Sequence, residues 1–209
     1  MEAGVRSPAG RYLLLGVTLS LFVVSLWQLG GAVYIHAKAE LSQVLLKRAW
    51  ARTLEYGEPS RPWPWADTWP VARLRVPRLG IDQVVLAGAS GASLAFAPGH
   101  LSGTASPGET GSTVISGHRD THFRFLRELK QGDRVLIETV HGYRQIYRIR
   151  EMHVVHTDQA QIPIPTVRPT VTLVTCYPFD AITPGGPLRY VVRAFGEFTE
   201  DGTPFPVAS

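Results

Sequence analysis

The chain of 209 residues has a single cysteine, Cys176, and one thiol excludes any intrachain disulfide framework. It also has no run of five or six like charges. The formal net charge of +4 comes from arginines scattered along the sequence, so nucleic-acid binding has no specific support. Neither an internal repeat nor a low-complexity segment is present. The charged fraction of 18% is near average. That argues against a disordered polymer, and the length suffices for one sizeable domain plus an appendage.

Charge is missing altogether between Tyr12 and Ile35, YLLLGVTLSLFVVSLWQLGGAVYI. As a helix this span crosses about 30 Å of hydrocarbon. Its length, and the lack of an A-x-A pattern close behind it, predict an uncleaved signal anchor, with a cleaved signal peptide as the alternative. A buried core helix fits poorly, because no face of the span is polar. Charge does not set the orientation. Arg6, Arg11 and the terminal amine precede the span, and Lys38, Lys47, Arg48 and Arg52 follow it.

Residues 38–56, KAELSQVLLKRAWARTLEY, contain neither proline nor glycine, and Leu41, Val44, Leu45 and Ala49 fall at helical spacing. They predict an amphipathic juxtamembrane helix. In GEPSRPWPWADTWP, residues 57–70, prolines forbid regular structure. Its tryptophans, Trp63, Trp65 and Trp69, are expected to pack on the following domain, with the membrane interface as the alternative.

After Val71 the texture changes to short runs of β-branched and aromatic residues: 71–76, 83–88, 112–117, 134–140, 143–155, 170–176 and 188–198. Prolines and glycines at short intervals supply the turns between them. Seven or more strands at this spacing predict an all-β barrel or sandwich. THFRFLRELK, residues 121–130, is the best interior helix, with Phe125, Leu126 and Leu129 on one face and Gly132 as its stop.

Cys176 ends one of the apolar runs. Such a cysteine is usually a small buried hydrophobe. Here it is an exported thiol without a partner, placed at a Tyr-Pro turn where side chains reach a cleft. Pro178 leaves the Tyr177 N–H free to point at something other than a helix, which places a backbone donor near the thiol. Among the seven histidines, His36 borders the span, and His141, His153 and His156 lie in or near a hairpin. His100 and His118 remain as partners for the thiol. Arg189 opens the last run, thirteen residues after Cys176. Thiol, imidazole and guanidinium at three strand ends can act as nucleophile, proton shuttle and electrophilic clamp. His118 and His122 in HRDTH stand four apart, like two zinc ligands on a helix, but Arg119 occupies the place of the general base and disfavours that reading.

Three stretches then resemble the sortases, in particular those of Gram-negative bacteria, close to class D: TVISGHRDTHFRFLRELKQGD around His118, TLVTCYPF around Cys176, and LRYVV around Arg189. PWPWADTWPVARL resembles the approach to the domain in that class. The resemblance covers about residues 63–198. It implies an eight-stranded sortase-type β-barrel with short helices, preceded by one transmembrane helix. It further implies a transpeptidase that cleaves a C-terminal Leu-Pro-x-Thr-Gly-type sorting signal of an exported protein and passes the acyl group to an amine acceptor, without metal or cofactor. Carried over to this sequence, Cys176 is the nucleophile, His118 the acid/base and Arg189 the oxyanion clamp. Thr175 and Tyr177 support the oxyanion.

The layout implied is a cytoplasmic tail over 1–11, an anchor over 12–35, a juxtamembrane helix and linker over 36–70, the catalytic barrel over 71–199 and a tail over 200–209. The barrel then lies on the periplasmic side of a bacterial inner membrane. Two rivals stand beside this reading. One is a cysteine protease whose acyl-enzyme goes to water, and the other is a non-catalytic membrane-anchored scaffold.

Overall fold

The computed structural model of the protein describes residues 8–159, 168–181, 183 and 185–197. Residues 1–7 of the expected N-terminal tail, the expected tail at 200–209 and the last residue of the final predicted strand, Phe198, lie outside the described residues.

The chain divides into two compact units, Met1–Gln43 and Val44–Ser209. Sequence spacing separates an apolar span from a second helix beginning at residue 38. The structure instead has one helix, α1 (Pro8–Tyr56), because no proline interrupts the run and Gly30 and Gly31 weaken a helix without ending it. In the first unit, Gly10–Gly31 is long and apolar enough to cross a membrane. The hydroxyls of Thr18, Ser20 and Ser25 donate to the carbonyls of Leu14, Gly16 and Leu21 at 2.8, 2.9 and 2.8 Å. Such back-bonding lets a hydroxyl sit in hydrocarbon with its donor satisfied.

The second unit is the β domain. Its elements are β1 (Pro70–Val76), β2 (Ile81–Ala87), the one-turn helix α2 (Gly91–Leu94), β3 (Gly99–His100), β4 (Ser112–Ser116), β5 (Arg134–Thr139), β6 (Arg144–His156), β7 (Thr170–Cys176) and β8 (Leu188–Gly196). They close into an eight-stranded barrel in the order β1-β2-β3-β4-β7-β8-β6-β5. The β2–β3 and β4–β7 pairs are parallel and the other pairs antiparallel. Period-two alternation sets the inside. In β1, Ala72, Leu74 and Val76 are buried and the arginines between them are half-buried. Leu74, Ile115, Ile137, Tyr147, Leu173 and Val192 are fully buried in the shared core, and each such aliphatic side chain contributes about 1.5–3 kcal/mol.

Two expectations change, and the eight strands that the resemblance implies are present. The helix predicted over 121–130 is a short 3-10 turn, Arg124–Glu128. There Phe125 and Leu126, with Leu129 just beyond, need only one tight turn to reach the core. An eighth strand, β3, joins the seven runs. The tryptophans divide. Trp63 packs edge-to-face on Phe96 with centroids 4.9 Å apart and Trp69 is half-buried, whereas Trp65 remains 82% exposed. A second cluster joins Leu46 and Trp50 of α1 to Val84, Leu86 and Ala97.

β3 needs glycine because the Gly88 carbonyl crosses it. A Cβ on Gly99 would lie 2.1 Å from that oxygen. Gly99→Ala should therefore shift backbone and cost about 1–3 kcal/mol, the scale of overpacking. Urea denaturation followed by circular dichroism checks this, and an unchanged midpoint would contradict the close approach.

Candidate active site

Cys176 is the last residue of β7 and is half-buried. It faces a different strand on each side. Across the antiparallel pair with β8, its register partner is Arg189. On the other side β4 runs parallel, with Ser116 level with Val174. Two further bonds carry that pairing past the end of β4: the Gly117 N–H donates to Val174 O at 3.2 Å, and the Thr175 hydroxyl donates to Gly117 O at 2.7 Å. The next residue, His118, is exposed and lies two positions past Ser116, the same offset that Cys176 has from Val174. Cys176 and Arg189 thus end β7 and open β8 as register partners, and His118 follows the end of the adjacent β4 in the turn.

The GHRDTHF sequence builds the turn that presents His118. Gly117 is required by packing, since a Cβ there would lie 2.8 Å from the ring of Phe123, itself fully buried. The Phe123 N–H closes the turn onto His118 O at 2.9 Å. Arg119 turns inward and Asp120 outward, joined at 3.2 Å. The Gln83 amide donates to His122 O at 3.0 Å.

His100, the other candidate partner of the thiol, is committed elsewhere. Its Nε2 lies 3.0 Å from both Ala105 O and the Thr104 hydroxyl. It lines a cavity of about 1050 Å³ with Pro70, Thr139, Tyr143 and Gln145. That cavity opens where β1 and β6 begin, and both strands run in the direction of β7. Its lining at the starts of β1 and β6 is therefore at the opposite end of the barrel from Cys176, while His100 itself pairs with Ile115 and is held from the thiol by its bonds to Thr104 and Ala105.

Several polar groups at the thiol end are already engaged. The Tyr177 N–H, expected to be free, donates to Leu188 O at 3.0 Å. Antiparallel pairing continues past Cys176 and claims it. The Thr175 hydroxyl is buried and given to Gly117. One Arg189 nitrogen, Nη1, donates to Gly186 O at 2.7 Å and Leu188 O at 2.9 Å. Four residues further along β8, level with Thr172, Arg193 is bound to Glu151 at 2.7 Å. Tyr177, Phe179 and Tyr190 form an aromatic cluster beside the thiol, with centroids 5.2–6.2 Å apart.

Sequence reasoning passed over Arg119, whose side chain is only 3% exposed. The loop YPFDAITPGGP, by contrast, carried a readable signal. Prolines 178, 184 and 187 have no N–H, so the loop has more carbonyls than donors and needs a donor from outside.

A closed eight-stranded barrel with a thiol at the end of β7 defines the class. Residues 74–196 match the Sortase domain, and the chain belongs to the sortase family, close to class D. It is 31% identical over 120 residues to Sortase D of Bacillus subtilis (strain 168), covering 57% of this chain and 60% of that one. Sortase A from Corynebacterium diphtheriae matches with a TM-score of 0.57 and 26% identity, over 65% of this chain and 64% of that chain. A Clostridium perfringens Sortase D5 transpeptidase has the same fold, with a TM-score of 0.61 at 24% identity, over 76% of this chain and 99% of its own. The chain thus spans less than two thirds of the Bacillus and Corynebacterium proteins.

Burial holds His100 and His122 below the ordinary imidazole value of 6.5, with His118 adding to the effect on His122. The sign follows. Above the unfolded value both imidazoles are neutral in either state, and below it the unfolded chain takes up protons that the folded chain resists. Stability should fall as pH drops from about 7 to about 5. Melting temperatures across that range check this: His100→Asn and His122→Asn should each flatten the slope, and identical slopes would contradict the assignment.

Proposed function

We propose that the protein is a membrane-anchored cysteine transpeptidase that cleaves a C-terminal sorting signal of the Leu-Pro-x-Thr-Gly kind on an exported protein and transfers it to an amine acceptor. The observation that carries this reading is the pairing of Cys176 with Arg189 across β7 and β8, with His118 two residues past the end of the parallel neighbour β4. The Cys176 sulfur attacks the Thr carbonyl carbon of the substrate, its thiol proton passing to His118. As the C–N bond to Gly breaks, His118 gives that proton to the leaving amine. An acceptor amine then attacks the thioester, His118 takes a proton from it, and the C–S bond breaks as His118 hands that proton to the sulfur, returning the thiol.

The oxyanion formed in each half-reaction is held by Arg189, through donors other than those on the loop carbonyls. Thr175 supports it indirectly by fixing Gly117 and so His118. Tyr177 contributes its N–H only when the bond to Leu188 opens. No metal or cofactor is needed for these steps. In the proposed layout, residues 1–11 are cytoplasmic, 12–35 anchor the chain in a bacterial inner membrane, 36–70 are the juxtamembrane segment, 71–199 are the periplasmic catalytic barrel and 200–209 are a tail. Exposed apolar side chains along Gly10–Gly31 support the anchor.

Steady-state cleavage of a sorting-signal peptide, with and without an added amine, tests the chemistry. Cys176→Ala should abolish cleavage, His118→Ala should lower the rate by about 100-fold or more, and Arg189→Lys should lower kcat/KM by about 10- to 1000-fold, because lysine keeps the charge and loses the fork. An Arg189→Lys variant equal to the parent would remove the clamp from Arg189. Product joined to the added amine is expected, and hydrolysis alone would favour the protease reading. Protease added to intact spheroplasts should degrade the barrel; protection until lysis would reverse the topology.

A further inference from the structure

The loop Tyr177–Pro187 leads directly from Cys176 to the strand that opens at Leu188, one residue before Arg189. Among its described residues, the internal backbone bond is Ala181 N–H to Pro178 O at 3.4 Å. At its far end Arg189 holds Gly186 O and Thr157 holds Pro187 O, and the carbonyls nearer Cys176 are gathered by Arg119. Nη1 donates to Pro178 O at 2.8 Å, and Nη2 donates to Ala181 O at 2.7 Å and Thr183 O at 3.0 Å. The side chain is 3% exposed, and its ion-pair partner Asp120, on Nε, is 66% exposed. Three neutral carbonyls therefore carry most of the solvation of a buried cation.

Burying a guanidinium is costly, so a buried, charge-assisted cluster is weak grounds for a purely stabilising role. Its location indicates what it sets. One end of the bridge is the residue after His118, and the other begins two residues after Cys176. Arg119 thus ties the turn bearing the imidazole to the loop leaving the thiol, independently of the β4–β7 ladder. We propose that Arg119 is a positioning residue, holding the Tyr177–Pro187 loop so that Cys176, His118 and Arg189 meet substrate in one geometry. This rests on the roles proposed above for those three residues.

The fork matters because the three bonds leave from two nitrogens about one guanidinium apart, which a single ammonium cannot reproduce. Full-chain Arg119→Lys and Arg119→Gln, in detergent, should keep the parent's melting temperature within a few degrees. Their kcat should fall by about 10- to 100-fold, the scale of a small misplacement of reacting groups. Hydrogen exchange should accelerate at the loop amides, with β7 and β8 still protected. Parent-like kcat with parent-like loop exchange in both variants would overturn the proposal. So would activity loss that tracks faster exchange throughout the barrel, or failure of both variants to fold. Failure of the thiol chemistry would appear separately, as Cys176→Ala retaining activity, and the exchange measurement would still report whether Arg119 holds the loop.

Discussion

The parallel pairing of β4 with β7 is the constraint on which the site depends. In an antiparallel pair the end of one strand meets the start of the next, whereas in a parallel pair two ends arrive together. Cys176, at the end of β7, has one neighbour of each kind: the end of β4, from which His118 projects, and the start of β8, which brings Arg189. A barrel with only antiparallel neighbours around β7 would set two strand starts beside the thiol. The Thr175–Gly117 bond ties the residue before His118 to the residue before Cys176.

In the resting structure much of the polar equipment at this end is engaged with the protein itself. The Tyr177 N–H holds Leu188, one arm of Arg189 holds Gly186 and Leu188, and Arg119 holds three loop carbonyls. Prepaired donors keep the loop in place, and in the proposed reaction substrate binding is an exchange of partners. Such an exchange costs less than desolvating bare charges. The far cavity, by contrast, is lined by residues of the β5–β6 hairpin and the start of β1, so its size gives it no part in the chemistry at Cys176.

How much of this could be read from sequence follows from how far each feature depends on local pattern. Strands β1, β2 and β4–β8 were legible because β-branched runs between turn residues have a period of their own. β3 was not, since two residues, Gly99 and His100, have no period and are selected by the close approach of Gly88. The 121–130 segment showed the right buried face, but its length in the fold is limited by the His118–Phe123 turn before it. Cys176, His118 and Arg189 were legible as strand-end residues in motifs. His100 could be separated from His118 only by register, and the hold of Arg119 on the loop only by a contact between residues 59–64 positions apart.

The central claim is that Cys176 carries the acyl group. Acid-quenching the full chain during turnover of a sorting-signal peptide, followed by intact-mass and peptide-mapping mass spectrometry, tests it most directly. The account predicts a mass increase equal to the N-terminal acyl fragment, located on Cys176 and removed by hydroxylamine. Turnover with Cys176 unmodified, or an acyl group on any other residue, would contradict it.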